Sequence, residues 1–207
     1  MSDVSSPQIE FFYDFASTYS YLSAMRIEAL AAAAGVAIVW KPFLLGPIFR
    51  AQGWETSPFN LYPAKGRYMV RDMERLAAAR GLKFRLPSPF PQNSLHAARI
   101  ALIGHAEGWG PAFTRGVYEA EFAHGADIAD KATLAGILAR LGLDADAQLA
   151  RSVRPENKER LRLQTEEAQA LGIFGAPSFV AGGELYWGDD RLEAAIAKPK
   201  AEGKNLT

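Results

Sequence analysis

Ser17 is the residue around which chemistry is expected. It ends the segment Tyr13-Asp14-Phe15-Ala16-Ser17, where an aromatic run gives way to a helical pattern. Backbone N–H groups at such a junction lack helical partners and favour negative charge. A hydroxyl among them can donate a hydrogen bond to an anion held in the same place. Read alone, Ser17 is an ordinary helix N-cap. No Gly-x-Ser-x-Gly sequence and no evident Ser-His-Asp arrangement accompanies it, so acyl transfer is not expected.

Two later segments could also meet a ligand. Gly175-Ala176-Pro177-Ser178 puts a proline at the opening of a strand, a position compatible with a cis peptide. Such a turn exposes the Ala176 backbone for pairing with an extended ligand. Trp187-Gly188-Asp189-Asp190-Arg191-Leu192 puts two acids at a helix start. Asp189 reads as the N-cap and Asp190 as a favourable first-turn acid. An acid beside a backbone donor can instead hold a ligand's amino group.

Composition narrows the classes of function. The chain has no cysteine, which removes disulfides, Cys-ligated zinc and a thiol nucleophile together. A thiol–disulfide oxidoreductase is excluded on the same ground. His96, His105 and His124 show no metal-binding spacing. The first two are nine residues apart on one expected helix and face different ways, so all three are read as solvated. Lys plus Arg number 23 and Asp plus Glu 23, intermixed along 207 residues, so no basic face for nucleic acid is expected. The longest basic run, Lys198-Pro199-Lys200, reads as a frayed end. Nearly half the residues, 49%, are hydrophobic, enough for a real core. No apolar run reaches the roughly 18 residues of a membrane span. Residues 1–7 are polar and lack a signal peptide's apolar stretch. A cytoplasmic location is the expectation, with no membrane partner.

The elements that must position these residues follow from pattern. Residues 9–15 read as a buried strand, 19–34 as a helix stopped by Gly35, and 36–40 as a second strand, making a parallel βαβ unit. Residues 53–63 read as loop and 65–80 as a helix. The three prolines of 86–91 require an extended connection. Ser94 is expected to cap a helix to about Glu107, Pro111 to open another, and Asp130 to cap a third. Helices are also expected over 144–153 and 155–171. Strands return at 177–180 and 184–187, joined by Gly182-Gly183 as a hairpin, before a last helix over 189–198. The fold class is therefore α/β: βαβ, a helical insertion, then ββα, giving a four-stranded mixed sheet flanked by helices.

Read together, the segments resemble a known family. Tyr13-Asp14-Phe15-Ala16-Ser17-Thr18-Tyr19-Ser20-Tyr21-Leu22 is similar to the signature of the 2-hydroxychromene-2-carboxylate isomerases and kappa-class glutathione transferases. Phe174-Gly175-Ala176-Pro177 and Trp187-Gly188-Asp189-Asp190-Arg191-Leu192 agree with it. So do Lys41-Pro42-Phe43-Leu44-Leu45-Gly46, Pro63-Ala64-Lys65-Gly66 and Pro91-Gln92-Asn93-Ser94-Leu95. The resemblance spans residues 9–196. It implies a DsbA-like thioredoxin fold, with residues 1–47 and 172–207 as the thioredoxin-like domain and 48–171 as an inserted all-helical domain. A homodimer is the expected assembly.

The resemblance implies glutathione as cofactor, its sulfur at Ser17, the position where redox relatives carry a reactive cysteine. Ala176 and Pro177 would present backbone to the tripeptide. Trp187 and Gly188 would line the groove, and Asp189 and Asp190 would hold the γ-glutamyl end. The implied activity is glutathione-dependent cis-trans isomerisation of a small aromatic carboxylate. A kappa-type transferase or peroxidase that consumes glutathione, or a non-catalytic thiol or peptide binder, is the alternative. For the aromatic acid, Phe43, Trp54, Tyr62 and Phe90 are candidate walls, with Lys65 and then Arg85 as the cation. Thr18 departs from the proline usual after the family's serine. Trp54 departs from an asparagine that some kappa-type members place nearby for glutathione.

Overall fold

The computed structural model describes residues 7–203. Four strands form one mixed sheet in the order β2-β1-β3-β4. β1 (Gln8–Tyr13) pairs in parallel with β2 (Ala37–Pro42), Ile9 opposite Ile38 and Phe11 opposite Trp40. β3 (Ser178–Ala181) runs antiparallel to β1 on its other side and to β4 (Glu184–Trp187). Gly182 and Gly183 join β3 to β4, both at positive φ, as a two-residue turn matched to strand twist requires.

The nearly unbroken apolar run of β1 has a simple cause: both faces of this central strand are covered. Ile9, Phe11 and Tyr13 enter the main core, while Phe12 points the opposite way into a smaller one with Phe43, Ile48, Ala168 and Ile173. The main core continues from the sheet into the helices between β2 and β3. Met69, Met73, Ile100, Phe113, Val117, Leu134 and Leu138 share it with Phe11 and Phe179. These helices extend the sheet's own core.

The helix expected over 19–34 is two helices, α1 (Thr18–Ala24) and α2 (Ile27–Ala34), broken at Met25-Arg26. The break lets the Arg26 side chain turn toward Asp189. After β2 come α3 (Leu45–Ala51) and a single turn, α4 (Pro58–Leu61), inside the stretch expected to be loop. Pro58 at the first turn and the Ser57 hydroxyl, which accepts from Phe59 N, start it. α5 (Pro63–Ala79) follows and passes so close that a Cβ on Gly66 would lie 2.4 Å from the Phe59 carbonyl.

α6 (Leu95–Glu107) starts where expected, but Ser94 does not cap it. Its hydroxyl faces Asp14, and Asn93 Oδ1 accepts from Leu95 N at 3.0 Å. α7 (Gly110–Tyr118) runs into a π-helical turn at Glu119–Ala123. α8 (Lys131–Arg140) and α9 (Ala145–Ser152) are capped by Asp130 and Asp144, and α10 (Pro155–Ala170) leads back to β3.

A 3₁₀ turn, Asp189–Arg191, precedes α11 (Leu192–Gly203). Asp189 is therefore not the cap of that helix; its carboxylate is drawn into ion pairs instead. Lys198-Pro199-Lys200, expected as a frayed end, lies within α11. The polar segment 1–6 lies outside the described residues.

Candidate active site

β1 hands the chain to α1 through the turn Asp14–Ser17, with Ser17 N donating to the Asp14 carbonyl at 2.9 Å. The Asp14 side chain, 4% exposed, pins this turn. It accepts from Ala16 N at 3.0 Å and Leu45 N at 2.7 Å and faces the Ser94 hydroxyl. Tyr118 donates to the Asp14 carbonyl at 2.9 Å. Burial pushes the Asp14 pKa up, and these donors oppose the rise. Segments from four parts of the chain thus fix the approach to Ser17.

Ser17 Oγ accepts from Ser20 N at 3.2 Å, the N-cap contact of α1. It also donates to the Ala176 carbonyl at 2.8 Å, beside the cis Ala176–Pro177 peptide. Gly188 N donates to the Pro177 carbonyl at 3.0 Å. The three sequence segments expected to carry chemistry therefore converge. Trp187 crosses Gly175, where a Cβ would lie 2.4 Å from the indole nitrogen. Trp187 is 53% exposed, and its ring packs on Phe174 with centroids 4.8 Å apart.

Among the described residues, no backbone carbonyl takes the N–H groups of Thr18, Tyr19 or Ala176. The Thr18 hydroxyl is buried with no partner among the described residues, so it is not offered to the groove. α1 has only two turns, so an anion at Ser17 would depend on these local donors rather than on a long helix dipole.

The two acids differ. Asp189 is 4% exposed and engaged by Ser23, Arg26 and Arg80. Asp190 is 73% exposed in its side chain, with Arg191 at 3.1 Å. The hydroxyl and amide donors beside Ser17 suit an anion.

The expected substrate residues separate. Phe43 is fully buried in the smaller core, edge-on to Phe12, and forms no wall. Trp54 packs against Phe49, and the exposed Lys65 lies 4.7 Å over the ring of Tyr62. Asn60 Nδ2 donates to the Phe90 carbonyl at 3.2 Å, joining that loop to α4. Tyr19, two residues after Ser17, donates to Asp72 of α5 at 2.9 Å and ties this region to α1. Arg85 is set apart, its side chain along Gly125.

His105 is not solvated. Its Nε2 lies 2.8 Å from the Tyr13 hydroxyl, its ring stacks on Trp40 at 5.5 Å, and burial pushes its pKa down to about 4. His96 is half-buried, and only His124 is exposed. Sequence reasoning also missed Asp14, Arg26 and Arg80. Asp14 alone left a signal, as an acid interrupting an aromatic strand end.

The family model for a DSBA-like thioredoxin domain matches residues 8–197. The 2-hydroxychromene-2-carboxylate isomerase of Sphingobium xenophagum is 32% identical over 187 residues, covering 89% of this chain and 94% of that one. Glutathione S-transferase kappa 2 of Caenorhabditis elegans is 30% identical, covering 89% of this chain and 88% of its own. A solved structure of a 2-hydroxychromene-2-carboxylate isomerase superposes with a TM-score of 0.84 at 27% identity, covering 97% of this chain and 99% of that one. The chain belongs to the DSBA-like thioredoxin family, in the group of the 2-hydroxychromene-2-carboxylate isomerases and kappa-class glutathione transferases.

Proposed function

We propose that this protein is a glutathione-dependent cis-trans isomerase of an aromatic-degradation intermediate. The reaction is of the type that converts 2-hydroxychromene-2-carboxylate to trans-o-hydroxybenzylidenepyruvate. One observation carries the reading: the Ser17 hydroxyl stands 2.8 Å from the Ala176 carbonyl, beside amides with no backbone partner among the described residues, in a chain without cysteine. Relatives bearing the isomerase name support the reaction type.

Bound glutathione would supply a nucleophilic sulfur that adds reversibly to a conjugated double bond, which rotates while single. The protein's part is to keep that sulfur ionised and oriented. A free thiol, with a pKa of about 8.5, is mostly protonated at neutral pH. Ser17 would turn its O–H from the Ala176 carbonyl to the sulfur. That exchanges a neutral hydrogen bond for a stronger, charge-assisted one. The N–H groups of Thr18 and Tyr19 would add to it. Ala176 would pair with the tripeptide backbone, Pro177 would hold that turn, and Trp187 and Gly188 would line the groove. The Asp189-Asp190 turn would take the γ-glutamyl end. Trp54 and Phe90 would wall the aromatic ring, and Lys65 would meet the substrate carboxylate.

The test is Ser17→Ala, assayed for glutathione-dependent isomerisation while free glutathione is followed. The expected result is a fall of about 100-fold in kcat/KM, with glutathione regenerated by the native protein. Unchanged kcat/KM would remove Ser17 from the chemistry. Stoichiometric loss of glutathione would instead favour the kappa-type transferase.

A further inference from the structure

Between α6, α10 and the start of α3 lies a cavity of about 230 Å³. No residue of the Ser17 groove lines it, and neither do Trp54, Lys65, Arg85 or Phe90. Leu44, Pro47, Leu95 and Leu161 give it apolar walls. Those walls are tied in place. Leu44 N donates to Thr165 Oγ1 at 3.3 Å, and that hydroxyl donates to the Leu161 carbonyl at 2.9 Å. Asn157 Nδ2 donates to the Arg99 carbonyl at 2.9 Å and fastens α10 to α6.

The unpaired charge along this cavity is positive. Arg99 and Lys158 line it, and among the described residues neither pairs with an acid. Glu166, the acid at its edge, is already bonded to Arg162. Arg99 is half-buried, and its Nε is buried with no hydrogen-bond partner among the described residues. Burial pushes its pKa down, with no acid to oppose the fall. His96, three residues earlier on α6, supplies no opposite charge. Burial, Lys131 and Arg99 all push its pKa down. A half-buried cation and an unsatisfied buried donor each cost free energy that a bound anion would offset.

We propose that this cavity binds a small carboxylate with an apolar body, its oxygens on the Arg99 guanidinium and Lys158 at the rim. Three features select that class. The planar guanidinium matches the two oxygens of a carboxylate. Four apolar side chains favour a hydrocarbon body over a fully hydrated inorganic anion. The volume lies below the roughly 300–1,000 Å³ of sites for drug-sized ligands, so the body is about one ring in size. The ligand would lie against both segments that hold the Asp14 turn. Leu44 precedes Leu45, whose N–H donates to Asp14 at 2.7 Å, and Leu95 follows Ser94, whose hydroxyl faces Asp14. Binding here is independent of glutathione.

The test is a methyl NMR titration of the whole protein with benzoate, benzyl alcohol and inorganic phosphate. Benzoate should move the Leu44, Leu95 and Leu161 methyl signals and leave that of Ala176 in place, with or without glutathione. Benzyl alcohol keeps the ring without the charge and should bind about 10-fold more weakly. Phosphate keeps charge without the ring and should also bind more weakly than benzoate. Arg99→Gln should weaken benzoate about 10-fold. Arg99→Lys should restore part of that loss, since it keeps the charge but not the planar fork. Lys158→Gln, at an exposed position, should weaken benzoate about 3-fold, and it serves if Arg99→Gln fails to fold. Shifts confined to Ala176 would return the carboxylate to the Ser17 groove and overturn the site. So would phosphate binding more tightly than benzoate, leucine signals that do not move, or an unchanged benzoate affinity in folded Arg99→Gln.

Discussion

The Ser17 hydroxyl and the Ala176 carbonyl are 159 positions apart in sequence and 2.8 Å apart in space. The same oxygen caps α1 through Ser20 N. One hydroxyl thus closes the junction between the first and second halves of the sheet. Ser17→Ala would leave Ser20 N and the Ala176 carbonyl without this partner. Urea unfolding should show a loss of about 1–2 kcal/mol, the range for an N-cap serine plus a half-buried hydrogen bond. A variant as stable as the native protein would argue against both contacts.

Thr18 occupies the first helical position of α1, where proline is well tolerated. Ser17, with φ −95° and ψ 115°, already has the extended backbone that a following proline demands. The Thr18 hydroxyl is buried with no partner among the described residues. Thr18→Pro should therefore raise stability by about 0.5–1 kcal/mol. It also deletes an N–H at the proposed sulfur site, so the absorbance of bound glutathione thiolate should appear at higher pH. A lower melting temperature would contradict the backbone argument.

Gly188→Ala puts a side chain at φ 107°, against Asp190 Oδ1. Strained backbone of this kind costs about 1–3 kcal/mol. Gly183 makes a clean control, because its φ is 74° but its Cβ would meet open space. Both variants should melt earlier than the native protein. Only Gly188→Ala should also weaken glutathione binding.

His105 makes stability fall in acid. Burial holds its native pKa near 4, against an unfolded value of about 6.5. Between those values the unfolded chain binds a proton that the native state does not. Stability is therefore lost as pH drops from 6.5 toward 4, on the order of 2–3 kcal/mol from this group. Above 6.5 both states are neutral and the contribution vanishes. His105→Gln should flatten the dependence of the urea midpoint on pH across this window.

Glu121 works in the opposite direction. It lies in the π-helical turn with no exposure, and neither carboxyl oxygen has a hydrogen-bond partner among the described residues. Burial raises its pKa well above 4.5, with Asp14 and Asp127 adding to the rise. The native state keeps a proton that the unfolded chain releases above about 4.5, so stability falls as pH rises beyond that point. Glu121→Met should stabilise the protein by about 1–3 kcal/mol at pH 8, and by less at pH 4.5. Urea midpoints at the two pH values check the sign.

Much of the scaffold was legible because it depends on local pattern. The aromatic run of β1, the Gly182-Gly183 turn and the Asp130 and Asp144 caps each follow from nearby residues. The split of α1 from α2 was not legible. The 19–34 stretch contains no proline or internal glycine, and the break accompanies Arg26 reaching a residue more than 160 positions away. Phe43 failed as a substrate wall for a related reason. A phenylalanine reads the same whether it faces a groove or a second core, and the two-faced burial of β1 placed it in the core.

By itself, the sequence determined the order of the strands, the absence of a protein thiol and the three segments expected to meet a ligand. Residue type and periodicity act over short distances, so these needed no tertiary knowledge. Only the folded chain decided which hydroxyl meets which carbonyl, that His105 is half-buried with its pKa pushed down, and that Asp189 is enclosed while Asp190 is exposed beside Arg191. Burial and charge pairing arise when distant elements pack together. Two identical, adjacent residue types can therefore acquire opposite surroundings that their own positions in the chain do not reveal.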